Sequence, residues 1–564
     1  MIAPEPEARS NPQTPLLVLL RNNLLAALFL FVGLQIWRPC FFLTDDNLDG
    51  GLPFFVEVGH HLLNGQSPFQ SAYLFGGNYD LQRDSTFFAW HPIYLTASLL
   101  AGTPFYYTII DVCAFVLLML NVAGFVSLAW YLRKLSETSW SDGWLMFFTL
   151  SFNFSVMALA TGASWLYYMA NNGALPWLAL GLLQKDRRLG FGLIALFSVH
   201  QILGGHPLAS ISNGLFLSLF AVGMSVLRKS WSPLLVWAAG NLVALLITLP
   251  LLLPMFHGFA ETQRSMGVTA VEMEDGRIET GLLGVSVMAG MAMWMLFPGF
   301  HPTEWTYRNA LCSCAAAWLI FPALLSRAKW SGLQKVIFGL LILSAVMIIR
   351  PHWVSELMVR LPVIRSMRWP FRELVQFLFF FHFLLLLRPS FFRPFAQRLL
   401  ATGSAVAMVV PMVLYAFPPT FNAMPLGRQM IFSGEFEQYW AQVRSLLKPS
   451  DRVAVLIPFD LYENAPERPG GVIGTFNYAM LARFTNASGY SHTAPVSQLY
   501  TKTIPRFPDG SYDIEQKADL LAERPELKFI TLESMRPLRV TLSSGNGPTI
   551  DLTPYIPARF REAK

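Results

Sequence analysis

The sequence predicts a polytopic, all-α membrane protein of about eleven transmembrane helices with a small α/β domain at its C-terminal end. Three observations carry this. Apolar runs near twenty residues, the length a helix needs to cross a bilayer core, recur along a 564-residue chain that is 54% hydrophobic. Only 13% of residues are charged, and most Lys and Arg fall in short clusters between the apolar runs. Beyond Pro418 the composition changes: residues 430–564 hold 15 of the 35 acidic residues and no run long enough to span.

Spans are expected at 24–42, 104–132, 144–160, 165–183, 191–203, 207–227, 231–254, 308–325, 333–349, 374–387 and 401–417. This arrangement puts Arg133/Lys134, Lys185/Arg187/Arg188, Arg228/Lys229, Arg327/Lys329 and Arg388/Arg393/Arg398 on one side, which the positive-inside rule makes cytoplasmic. It leaves a cytoplasmic tail at 1–23 and a membrane domain at 24–429, whose large first extracytosolic loop is 43–103. Two apolar segments, 87–101 and 282–298, must then be interfacial or re-entrant. The soluble domain at 430–564 lies outside, with short strands in SDRVAVLIPF and LKFITLES.

The net charge of +6 reads as membrane anchoring, so no nucleic-acid partner is expected. Cys40, Cys113, Cys312 and Cys314 have no CxxC spacing, which argues against a zinc site or a disulfide framework. The first fifteen residues lack a basic n-region, so 24–42 reads as a retained span.

Polar chemistry concentrates just past the first span. Asp45, Asp46 and Asp49 can supply a general base or hold a divalent cation (Mg or Mn) at Asp45 and Asp46; they equally suit a solvated loop or an N-cap for a helix starting near Leu52. Glu57 and His61 share a helical face with His60 beside them, as a metal pair, a base with its orienting partner or the wet side of an interfacial helix, and His91 follows in the same loop; with Asp49 these four can line a substrate site. A second cluster, Arg365, Arg368 and Arg372, lies on the side that positive charge avoids. It suits phosphate binding, head-group anchoring or an ion pair with Glu373. Tyr168, Asn172 and His206 face the same side and can line a substrate pocket, or serve as belt and turn residues. Asp111 and Asn121 fall inside the second span.

The succession of this acidic loop, NGQSPFQSAYLFGG, FFAWHPIYL, GGHPLASISNGLF, MFHGFAETQRS, SMRWPFRE, DRVAVL and ASGYSHTAPVSQLY resembles the bacterial YfhO family, of the GT-C type of membrane glycosyltransferases. The resemblance spans nearly the whole chain and implies a GT-C-like fold in the bacterial inner membrane with an extracytosolic site. It implies transfer of a sugar from a polyprenyl-phosphate carrier to a cell-envelope glycan or lipid, with no cofactor required. The acidic position of such enzymes corresponds here to Asp45 or Asp46, and the basic motif to Arg368 and Arg372. Membrane lipids are the remaining expected partners. A transporter or flippase of lipid-linked saccharides would grip phosphate with the same arginines, and a non-catalytic envelope-assembly scaffold would need neither group.

Overall fold

The structure, a computed structural model, describes residues 14–74, 77, 79–81, 90–136, 141–260, 269–279, 329–361, 364–366, 373–388, 426–464, 470–475, 477–487, 511–544 and 547–561, with isolated positions at 316, 319, 324, 402, 504 and 507. The expected spans at 308–325 and 401–417, and the segment 282–298, lie wholly or almost wholly outside them.

The protein is a multi-pass helical bundle carrying a small C-terminal sheet unit. Among the described residues five helices are long and apolar enough to cross a membrane, or six if one pair bent by 45° forms a single span. Helix α1 (Leu16–Trp37) buries Leu19, Asn23, Ala27 and Phe31, a stripe four residues apart that packs on α4 while the rest of the helix stays exposed. It begins eight residues before the expected span and ends five earlier, because 38–42 is drawn into turns by contacts described below. A short helix α2 (Leu52–Leu63) and α3 (Pro92–Ser98) follow in the first loop. At seven residues, α3 is far too short to cross the bilayer.

Helix α4 (Ile109–Ser136) is the hub, in contact with α1, α5 (Asp142–Asn153) and α7 (Tyr167–Leu183). The expected span at 144–160 is instead α5 followed by α6 (Val156–Ser164), the bent pair. Ser155 caps the new start by accepting from Ala158 N at 3.2 Å. Then come α8 (Arg187–Gly204), α9 (Pro207–Leu227), α10 (Ser232–Ala260), α11 (Ala270–Glu279), α12 (Gly332–Ile349), α13 (His352–Arg360) and α14 (Leu374–Leu387).

Side chains that tie one helix end to another fix the polarity of the bundle. Arg133 pairs with Asp142 at 2.6 Å, Tyr131 Oη donates to Leu183 O at 3.1 Å, Arg228 Nη2 donates to Leu183 O at 2.5 Å and Gln334 donates to Leu387 O at 2.7 Å. The ends of α4, α7, α9 and α14 therefore meet the starts of α5, α8, α10 and α12 at one basic end. Asp45–Asp49, the Gly204–His206 turn and the Arg350–Glu373 pair occupy the other.

The C-terminal unit opens with α15 (Leu426–Phe432) and α16 (Glu435–Ser445). After one short antiparallel pair in the first loop, β1 (Gln70–Ser71) and β2 (Tyr79–Asp80), the remaining strands are β3 (Arg452–Ile457), β4 (Thr485–Asn486), β5 (Tyr512–Asp513), β6 (Lys528–Met535), β7 (Leu538–Ser544) and β8 (Ile550–Asp551). The sheet runs β4-β3-β6-β7-β8, with β5 also on β3. Strand β3 is parallel to its neighbours and buried along five of its six residues, as a strand covered on both faces must be.

Close approach of α4 and α7 requires glycine: a Cβ on Gly173 would overlap the Asn121 side chain, and one on Gly124 would meet Trp177 Nε1 at 2.5 Å. Gly173→Ala should therefore cost about 1–3 kcal/mol, and Asn121→Ala in the same chain should restore part of it. Thermal unfolding in detergent measures this; an unchanged transition for Gly173→Ala would show that the helices separate freely.

Candidate active site

The acidic loop is held by the gap between α6 and α7. Where α6 ends, its last carbonyls have no helical partner, and at membrane depth they must find one in protein. Asn47 supplies it: its Nδ2 lies 2.8 Å from Gly162 O and 2.9 Å from Ala163 O, and also 2.9 Å from Phe42 O. Its Oδ1 accepts from Leu166 N at 2.9 Å, serving the start of α7, and Thr44 Oγ1 donates to Ala163 O at 2.7 Å.

This docking places Asp46 beside Trp165, whose indole Nε1 donates to Asp46 Oδ2 at 2.6 Å. Residues 47–51 continue as one π-helical turn into α2, and neither Asp46 nor Gly51 caps a helix with its side chain, so the N-cap reading of the aspartates does not hold. Asp45 takes a left-handed backbone, φ 46°, and Asp49 is buried and turned toward the C-terminal unit, where its carbonyl accepts from Asn477 N at 3.1 Å.

From Trp165 a run of rings leads on. Trp165 and Tyr168 centroids are 6.1 Å apart, and Tyr168 stacks on His206 at 5.5 Å. Asn171 Oδ1 accepts from His206 N at 2.7 Å, and behind it Asn213 donates to Asn171 O at 3.0 Å and accepts from Gln376 at 2.7 Å. Asp46, Tyr168 and His206 thus form one continuous set. Asn172 does not join it; it lines a cavity of about 10 Å³ with Asn121, Asn153 and Ser155, room for roughly one water.

The first loop is closed by the C-terminal unit. Arg428 on α15 donates to Pro39 O and Cys40 O, both at 2.7 Å, while Asp111 accepts from Gln35 at 2.6 Å and Phe42 N at 3.2 Å. Asn486 N donates to Tyr73 O at 2.8 Å, and Arg483 donates to His60 Nε2 at 3.0 Å, which requires a neutral imidazole. Glu57 is buried with His61 Nε2 3.9 Å away. Burial pushes its carboxyl up to about 8, opposed in part by Ser71 and the Ala72 backbone. His91 is buried against His200, ring nitrogens 2.8 Å apart, and burial followed by that neighbour lowers it to about 3. A ring that stays neutral cannot trade protons near pH 7.

Arg365 is exposed on a turn at the acidic-loop end, and Arg368 and Arg372 lie outside the described residues. Glu373 is fully buried and paired with Arg350 at 3.4 Å. Among the described residues no three His, Cys, Asp or Glu side chains gather as a metal-holding group, so Asp45 and Asp46 would need donors from elsewhere to hold Mg or Mn. The residues that sequence reasoning passes over are Trp165, Asn47 and Arg428. Trp165 carries a faint signal, an indole N–H beside a predicted helix break, which needs an acceptor once half-buried.

No protein-family description and no curated protein matches this chain. Among solved structures, ArnT from Cupriavidus metallidurans bound to undecaprenyl phosphate aligns over 90% of this chain and 93% of its own, with 12% identity and a TM-score of 0.38. A likeness of that strength carries no argument about activity.

Asn47→Ala would strand two buried carbonyls and an N–H at once, and should lower stability by roughly 2–4 kcal/mol in chemical or thermal unfolding. A loss within 0.5 kcal/mol, roughly the range of an ordinary surface change, would mean that the loop docks by other contacts. For Glu57, the folded carboxyl near 8 stands above its ordinary value of 4.5, so between them the folded protein holds a proton that the unfolded chain releases. Its contribution to stability is complete below about 4.5 and lost as pH rises through 8. Glu57→Gln should flatten that decline in a pH series of melting temperatures; an identical slope in wild type and variant would place the proton elsewhere.

Proposed function

We propose that the protein is an inverting membrane glycosyltransferase of GT-C type that moves a sugar from a polyprenyl-phosphate-linked donor to a cell-envelope glycan or lipid at the extracytosolic face of the bacterial inner membrane. The observation that supports this best is the Asp46 carboxylate, half-buried just beyond the first span and oriented by the Trp165 indole. It agrees with the acidic position that the YfhO-like resemblance implies.

In this reading Asp46 takes the proton of the acceptor hydroxyl as that oxygen bonds to the anomeric carbon. The bond from that carbon to the donor phosphate breaks on the opposite side, which inverts the centre. The phosphate leaves with the electron pair and, already charged, needs no proton. Arg368 and Arg372 would receive it, with Arg365 in support at the same end of the bundle. Tyr168, buried, backs the half-buried His206 ring by stacking, and His206 can meet a sugar or acceptor along the path that starts at Asp46 and Trp165. Trp165 is a positioning residue: its short, charge-assisted bond to Asp46 Oδ2 fixes the direction of the carboxylate that acts as the base. A cation at Asp45 and Asp46 would help to neutralise the phosphate, but the single displacement balances without one.

Purified protein in nanodiscs, supplied with polyprenyl-phosphate donors carrying labelled sugar, tests this. Asp46→Asn should lower transfer at least about 100-fold, Trp165→Phe roughly 10-fold, and Arg368→Ala strongly, with folding intact. Transfer should survive a chelator; its loss there would assign a metal to the aspartate pair. If no donor gives product while lipid-linked sugar crosses a sealed bilayer, the enzyme reading fails and a transporter replaces it.

A further inference from the structure

The basic end of the bundle holds a feature that the proposed reaction does not use. There α8 and α10 start side by side and leave a groove of about 370 Å³ walled by Phe191, Leu235, Val236 and Ala239, with Arg187 and Arg188 at its mouth. Its floor is tight: a Cβ on Gly240 would meet Ile194 Cγ2 at 2.6 Å, so the helices touch below and the groove is a fixed surface feature.

The charges around it are unequally engaged. Arg228 is committed to the Leu183 and Gln184 carbonyls, and Asp186 accepts from Arg188 N at 2.9 Å to cap α8. Both guanidiniums of Arg187 and Arg188 are exposed, and among the described residues neither has an ion-pair partner. The two segments 185–188 and 228–229 that flank the groove carry five basic residues, Lys185, Arg187, Arg188, Arg228 and Lys229, and one carboxylate, Asp186, so the mouth is positive. Just before α10, Trp231 is 72% exposed, as an interfacial aromatic should be. Leu242 and Leu246 continue the exposed apolar face of Leu235 and Ala239 along α10, so in a bilayer this surface meets acyl chains.

We propose that this groove is a site for an anionic phospholipid, with the phosphate on Arg187 and Arg188 and one acyl chain lying along Phe191, Leu235, Val236 and Ala239. The guanidinium fork matches phosphate geometry, and apolar walls at membrane depth select a chain over water. A zwitterionic headgroup would bring its own cation against the arginines, so the site discriminates by charge. A basic residue near an anionic headgroup contributes about 1 kcal/mol, so two give a preference of roughly tenfold or more. The inference stands whether or not the chain is a transferase.

Native mass spectrometry of the protein released from mixed phosphatidylglycerol and phosphatidylcholine micelles reads this out. Wild type should retain phosphatidylglycerol roughly tenfold over phosphatidylcholine, and R187Q/R188Q should abolish the preference without lowering the melting temperature in detergent. K134Q/K335Q, which removes the same charge at the same end of the bundle, should keep it. Ala239→Trp, filling the groove with both arginines in place, should expel the lipid. Equal retention of the two lipids by wild type, or equal losses in the two double variants, would reduce the site to a diffuse positive field. Displacement of phosphatidylglycerol by an equal concentration of glycerol phosphate would leave the groove without a role, and that also overturns the proposal.

Discussion

The arrangement at the acidic end depends on how one helix break is paid for in hydrogen bonds. A helix that stops inside a membrane protein leaves carbonyls that no water can reach, and the next helix starts with N–H groups in the same state. Asn47 answers both, since one amide carries two donors and an acceptor. Its donors reach Gly162 and Ala163 and its acceptor takes Leu166 N, so the break between α6 and α7 is complete only when the first loop is docked. Asp46, one residue earlier in the chain, inherits its place from that docking. The position of the carboxylate is thus a consequence of backbone satisfaction, and it is as rigid as the helix ends it depends on.

The same logic makes the C-terminal unit a wall of the site. Arg428 spends one nitrogen on the carbonyls of Pro39 and Cys40, residues that no longer belong to α1. Two buried arginines, Arg38 and Arg428, share the neighbourhood of one buried carboxylate, Asp111, which is also held by Gln35 and the backbone of Phe42. Removing Asp111 would leave two buried arginines without their counterpart, a far larger penalty than the net worth of the set. Together with Asn477 on Asp49 and Asn486 on Tyr73, these contacts couple the folding of the sheet unit to the geometry of the loop between the first two long helices.

How legible this was differs from element to element, for physical reasons. The long apolar helices are read from composition because a bilayer imposes a length and a polarity, and 207–227, 333–349 and 374–387 are recovered within a residue at either end. Strands β3 and β6 stand out as apolar runs between turn residues. The end of α1 and the docking of the first loop on the α6–α7 break are not legible, because they are set by partners distant in sequence: Arg428 is 388 residues from Cys40, and Asn47 is 116 from Ala163. Of the candidate residues, Asp46, Tyr168 and His206 come together, whereas Asn172 turns to a different interior and His91 pairs with His200. Trp165 stands in the sequence only as the start of an expected span, and the geometry shows that its N–H is committed to a carboxylate.

The three aspartates of the loop then separate by what surrounds each one. Asp49 is buried, lies in the π-helical turn and faces the C-terminal unit, so an acceptor sugar would have to displace protein to reach it. Asp45 sits on a left-handed backbone, a conformation that aspartate tolerates but that ties its direction to local strain. Asp46 combines partial exposure with the Trp165 indole donor, and it begins the aromatic path through Trp165 and Tyr168 to His206. A general base needs an orientation set by protein and a path to the substrate, and at Asp46 the Trp165 indole supplies the first and partial exposure the second.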